Sequence, residues 1–189
     1  MTKTEIIAQA VGIIAMAMNC LSYQQKKNST LICFQLVGSS LFAVNYFLLG
    51  ALSGAMLNFV SICRAIVFLN KDRLNARHPA WLVLFSSLSL GSYALVFTVF
   101  GKPFTLQNAL IELLPVLAMI ICTVSYRYAS AKMVRRFGFA CSPLWLTYNV
   151  VNLAIGAIVC EIINIFSLII GVIRYDIKGK DEDYNNGEI

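Results

Sequence analysis

Apolar residues run through almost the whole chain, and the breaks between the runs are short and mostly basic. A helix that crosses a bilayer needs roughly 20 mostly apolar residues. On that measure the pattern predicts seven spans, near residues 6–23, 31–49, 51–70, 81–100, 106–126, 136–153 and 156–174. Two matching polar breaks, "YQQKKNS" and "YRYASAKMVRR", read as turns between the first and second and between the fifth and sixth spans.

Composition strengthens this reading. Of the 189 residues, 59% are hydrophobic and only 13% charged, and the mean hydropathy is +0.74, too apolar for a water-soluble domain. The predicted fold class is an all-α membrane protein. Lys3 precedes an apolar run, but no small-x-small cleavage site follows, so the first span is kept as part of the fold rather than read as a leader.

Charge orients the chain. Lys26, Lys27, Lys71, Arg73, Arg77, Arg127, Lys132, Arg135, Arg136, Arg174, Lys178 and Lys180 fall on one side, and Lys3 and Lys102 on the other. The positive-inside rule places the N-terminus outside and the C-terminus in the cytoplasm. The net charge of +6 then needs no nucleic-acid partner. The six cysteines lie in or at the ends of spans without CxxC or CxxH spacing, and the lone His78 sits in a polar loop. They suggest packing thiols and no metal site, and nothing points to a cofactor.

An internal repeat organises the spans. An offset of 103 residues pairs Ala15-Met16 with Ala118-Met119, Ser22-Tyr23 with Ser125-Tyr126, Phe34 with Phe137, Ser39 with Ser142, Leu41 with Leu144 and Ala51 with Ala154. Polar positions coincide too: Gln9 with Glu112, Asn58 with Glu161, Ser61 with Asn164. Two three-helix units in the same orientation need one extra crossing between them, which "WLVLFSSLSLGSYALVFTVF" supplies. The prediction is a 3+1+3 bundle with parallel repeats. Its parts are residues 1–72 (first unit), 73–103 (linker and fourth span), 104–178 (second unit) and 179–189 (a short acidic cytoplasmic tail).

Across nearly its full length the chain resembles the YgjV family of bacterial inner membrane proteins, best in "QAVGIIAMAMNCLSYQQKK", "NYFLLGALSGAMLNFVSICRAIVF", "ELLPVLAMIICTVSYR" and "IIGVIRYD". That resemblance implies the bacterial inner membrane. More distantly, "LSYQQKKNSTL" and "SPLWLTYNVV" are similar to motifs of the PQ-loop and SWEET/SemiSWEET transporters, which implies a small-solute carrier. Tyr23-Gln24-Gln25 keeps the glutamine of that motif but not its proline, and Tyr126-Arg127-Tyr128 keeps neither.

Polar side chains in hydrocarbon usually face a bundle interior. Gly54, Asn58, Ser61 and Ala65 share one face of the third span, and Ala157, Glu161, Asn164 and Leu168 the equivalent face of the seventh. The second span adds Gln35, Ser39, Phe42, Asn45 and Tyr46, and the sixth Ser142, Trp145, Tyr148, Asn149 and Asn152. The SWEET likeness implies an aromatic on the sixth span and an asparagine sixteen residues later flanking a sugar. Here Trp145 leads to Glu161 and Phe42 to Asn58. The candidate substrate residues are therefore Asn58, Trp145, Glu161, Asn164, Phe42 and Ser61, with Glu161 and Glu112 as candidates for proton coupling. The competing reading is that small and amide residues merely let helices pack closely. Two alternatives stand for Arg64: snorkelling to the cytoplasmic surface, or a buried partner such as Glu161, about 9 Å away in depth.

Three functions follow. The first is a transporter or facilitator of a small solute, such as a sugar or related metabolite, with a central site between the units. The second is a non-transporting membrane scaffold or partner subunit. A membrane enzyme is the weakest, since the chain has no HExxH, GxSxG or phosphate loop.

Overall fold

The computed structural model describes residues 3–48, 52–151 and 155–177. Asn152, the pair Ala51 and Ala154, and the acidic tail lie outside the described residues. Seven α-helices follow one another: α1 (Lys3–Ser22), α2 (Asn28–Leu48), α3 (Leu52–Leu69), α4 (Pro79–Thr98), α5 (Leu106–Arg127), α6 (Ala131–Val151) and α7 (Ile155–Gly171). A π-helical segment, Val172–Ile177, continues α7.

Local chemistry sets the ends. His78 caps α4, its Nδ1 accepting from Ala80 N at 3.2 Å, with Pro79 in the first helical position, where its missing N–H costs nothing. Thr105 caps α5 by accepting from Asn108 N at 3.2 Å. The turn between α5 and α6 is shorter than the sequence suggested. Ala129, at φ +50°, reverses the chain and α6 starts at Ala131, so Lys132, Arg135 and Arg136 belong to its first two turns. Lys and Arg are good helix formers, and a charge run at a helix start reads from sequence as loop.

The distribution of polarity is that of a protein in lipid. Ile6, Ile13, Phe47, Phe59, Val83 and Phe166 point outward, while Ser22, Ser61, Arg64, Glu112, Thr123, Arg135 and Asn164 are buried. Among the described residues four helical segments are long and apolar enough to cross a membrane: Asn28–Leu48, Pro79–Thr98, Leu106–Arg127 and Ala157–Ile177. The apolar parts of α1 (Ile6–Ser22) and α3 (Gly54–Leu69) are shorter. The charged start of α6 keeps it out of this set.

Consecutive helices pack in two groups, α1 on α2 on α3 and α5 on α6 on α7, with α4 against α5 and α3. Between the groups α1 meets α7, and α3 meets α5. A core of Leu31, Ile32, Val60, Phe68, Phe85, Met119, Tyr126 and Val134 fills the space between α2, α3, α4, α5 and α6. One end of the bundle is tied across its turns. Arg127 donates to Arg77 O at 2.8 Å, and Arg135 donates through Nη1 to Gln25 O at 3.0 Å and through Nε to Asp176 Oδ1 at 3.0 Å.

Candidate functional site

Glu161, Ser142 and Asn164 form the polar centre of the second helix group. Both Ser142 and Asn164 lie buried and within hydrogen-bonding reach of the Glu161 carboxyl group. Asn164 and Glu161 come to one face because three residues make nearly a full helical turn. Asn164 also accepts from Cys20 Sγ at 3.2 Å, which brings α1 to the same place. One turn further along α7, Ser167 donates to Cys20 O at 2.5 Å, and Gln24 Nε2 reaches Ser167 O at 2.6 Å and Oγ at 3.0 Å. Thus Gln24, from the break whose polarity stood out in the sequence, closes the joint between α1 and α7.

The second joint between the groups, between α3 and α5, is built around Arg64, which is only 5% exposed. Its Nη1 donates to Met119 O at 3.0 Å and Thr123 Oγ1 at 3.3 Å, its Nη2 to Ser61 Oγ at 3.4 Å, and its guanidinium lies 5.0 Å from the centre of the Tyr126 ring. Arg64 therefore neither reaches the surface nor pairs with Glu161: neutral acceptors on α5 hold it inside. Cys122 and Cys141 lie beside this joint, their sulfurs 3.4 Å apart.

The remaining candidates do not converge on Glu161. Asn58 turns back on its own helix, its Nδ2 donating to Gly54 O at 2.9 Å. Ser61 faces α5, donating to Met119 Sδ at 3.5 Å. Phe42 stacks on Tyr46, centroids 6.1 Å apart, and the Tyr46 ring in turn covers Gly54 so closely that a Cβ there would sit 2.9 Å from Cδ1. Trp145 packs against the apolar core and stands edge-on to Tyr148. Gly54, Phe42 and Trp145 thus make packing contacts. Asn45 is buried and donates to Ala8 O at 2.6 Å, and Asn149 is buried as well. Glu112 is buried, ion-paired to Lys102 at 2.5 Å and approached by Tyr148 Oη at 3.5 Å.

Sequence reasoning missed the Arg135–Asp176 pair, whose side chains are 0% and 4% exposed, because Arg135 counted as one more orienting surface charge. Tyr126 donating to Gln35 was missed too. Neither has a spacing signature, since each partner comes from a distant helix. Among the described residues no group of three or more His, Cys, Asp or Glu is placed to hold a metal.

Outward apolar faces around buried amides, hydroxyls and charges define a multi-helix membrane protein. Residues 6–178 match the family described as bacterial inner membrane protein YgjV, and the chain belongs to that family. No curated protein and no solved structure matches the chain.

Proposed function

We propose that the chain is a seven-span, 3+1+3 bundle that carries or facilitates passage of a small solute through a site centred on Glu161, Ser142 and Asn164. The observation that carries the reading is this cluster: a carboxyl group inside a membrane bundle, met by neutral hydrogen-bonding side chains from two helices, is costly unless it serves a ligand or proton.

Recurring contacts support the repeat. Gly38 packs against Asn19 and Ala15 O, and, 103 residues later, Cys141 packs against Cys122 and donates to Ala118 O. Ser22 donates to Asn19 O at 2.6 Å, and Ser125 to Cys122 O at 2.7 Å. Gly171 abuts Tyr23, and Phe68 abuts Tyr126. Cys20 meets Ser167, and Thr123 meets Arg64. In this reading the two units are parallel and the fourth span is their connector, and the basic turns support an external N-terminus and a cytoplasmic C-terminus. The likeness to PQ-loop and SWEET carriers rests on the sequence motifs and adds the solute-carrier class. The partners in this reading are the lipid bilayer and a small solute.

Asn58, Gly54 and Trp145, engaged in packing, favour the second reading, a scaffold or partner subunit without transport. Uptake of candidate solutes into proteoliposomes separates the two. A carrier loses flux in Glu161→Gln and Asn164→Ala while both variants remain folded. A scaffold shows no saturable flux in any form, and the same substitutions change only its melting temperature.

A further inference from the structure

Three residues with a full charge are buried among the described residues: Arg64, Glu112 and Arg135. The fold neutralises two of them, Glu112 with Lys102 and Arg135 with Asp176. Arg64 has no counter-ion there. Every acceptor around its guanidinium is neutral, and its Nε, shielded from solvent, makes no hydrogen bond.

The neighbouring groups are arranged to hold a cation without discharging it. Thr123 donates its own proton to Met119 O at 2.8 Å and Ser61 directs its proton to Met119 Sδ, so both hydroxyls turn lone pairs toward Arg64. Tyr126 lends the face of its ring, and its hydroxyl donates its proton to Gln35. An uncompensated guanidinium in a bundle is costly, yet the same fold supplies counter-ions to its other buried charges, an ammonium to Glu112 and a carboxylate to Arg135. Glu161 is the other charge-bearing group at the centre, and it too has neutral partners only. Thr123, which accepts from Arg64, and Ser142, beside Glu161, are the chain neighbours of Cys122 and Cys141, whose sulfurs lie 3.4 Å apart, so the two charges flank one contact between α5 and α6 without pairing.

We infer that Arg64 is the recognition residue for a carboxylate-bearing solute at the central site, the free Nε and adjoining Nη forming the planar fork that carboxylates fit. This rests on the carrier reading and gives its substrate class: a small organic acid, whose carboxylate replaces the missing counter-ion. If the solute also bears an ammonium group, Glu161 is the group placed to receive it.

The test is thermal unfolding of the purified full chain in detergent at matched ionic strength with propionate, alanine, propylamine and glucose, alongside proteoliposome uptake of the same four. The expected result is stabilisation by propionate, alanine or both. Apparent affinity falls about 10- to 100-fold in Arg64→Gln, the scale of a lost charge-assisted contact, and less in Arg64→Lys, which keeps the charge and loses the fork. The lysine variant carries the test if the glutamine variant fails to fold. Alanine acting alone, and no longer in Glu161→Gln, identifies an amino acid spanning both charges. Propionate and alanine acting equally identifies the carboxylate alone. Stabilisation by carboxylates that is equal in wild type and Arg64→Gln overturns the assignment. Stabilisation or uptake of glucose or propylamine without either carboxylate also overturns it and leaves the carrier reading standing. Neither stabilisation nor uptake with any of the four overturns both.

Discussion

Replacing Asp176 by Asn tests how the basic end of the bundle is held together. Asp176 Oδ1 takes both Nε and Nη2 of Arg135, while Arg135 Nη1 reaches Gln25 O and the Tyr175 ring lies 5.5 Å from the guanidinium carbon. One pair therefore joins the α1–α2 turn, the first turns of α6 and the π-helical segment. Arg135 is 0% exposed, so solvent cannot take over when the carboxylate is removed. Breaking a buried pair on one side costs about 3–5 kcal/mol. At roughly 2–4 °C per kcal/mol for a chain of this size, the melting temperature is expected to fall on the order of 10 °C. Replacing both partners, as Arg135→Met with Asp176→Leu, removes the stranded charge and is expected to recover most of the loss. Thermal unfolding of the wild type, Arg135→Met, Asp176→Leu and the double variant in one detergent gives the coupling directly. An Asp176→Asn protein that melts within a degree or two of wild type would refute the reasoning, because it would mean that Arg135 is hydrated.

Two further substitutions have definite expected outcomes. Lys102→Met leaves the buried Glu112 carboxyl group without its cation, at a cost of about 1–3 kcal/mol. Adding Glu112→Gln to it should recover stability, as read from the two melting temperatures. Gly54→Leu pushes a side chain into the Tyr46 ring. The strain of about 1–3 kcal/mol is expected to exceed the roughly 1 kcal/mol of helix propensity gained, lowering the melting temperature, and pairing it with Tyr46→Ala should relieve the loss.

The sequence carried the helices because lipid imposes a long apolar run on each, and that signal is independent of any partner. The boundary it missed, the start of α6, shows its limit: Lys132, Arg135 and Arg136 have the composition of a loop and the propensity of a helix, and only the partner Asp176 reveals that Arg135 is buried. The candidate site was legible in part. Helical spacing put Glu161 and Asn164 on one face, whereas Ser142, noted on the sixth span, was not among the candidate residues and joins them only through the packing of α6 on α7. The same offset set Asn58 opposite Glu161, yet Asn58 bonds its own backbone. Equivalent position fixes depth and facing, but the rotamer is chosen by the local acceptors, which an offset does not contain. Arg64 failed to declare itself for the same reason, since its depth allowed both a surface and a buried partner.

The two joints between the helix groups use different chemistry. Where α1 meets α7, Gln24, Ser167, Cys20 and Asn164 satisfy one another with neutral hydrogen bonds. Where α3 meets α5, Arg64 stands 103 positions before Ser167, and its acceptors are Met119 O, Thr123 Oγ1 and Ser61 Oγ. A serine needs one acceptor and leaves no charge behind, whereas an arginine brings five donors and a charge that these hydroxyls cannot neutralise. Close packing alone would be met as well by the serine. The guanidinium is the costlier choice, present at one joint only, and a ligand that supplies its counter-ion would relieve that cost at one joint and not the other. Binding of such a ligand should therefore stabilise the contacts of Arg64, Ser61 and Thr123 more than those of Gln24 and Ser167. Hydrogen exchange at α3 and α5 against α1 and α7, with and without propionate, measures that difference, and equal protection of both joints would count against it.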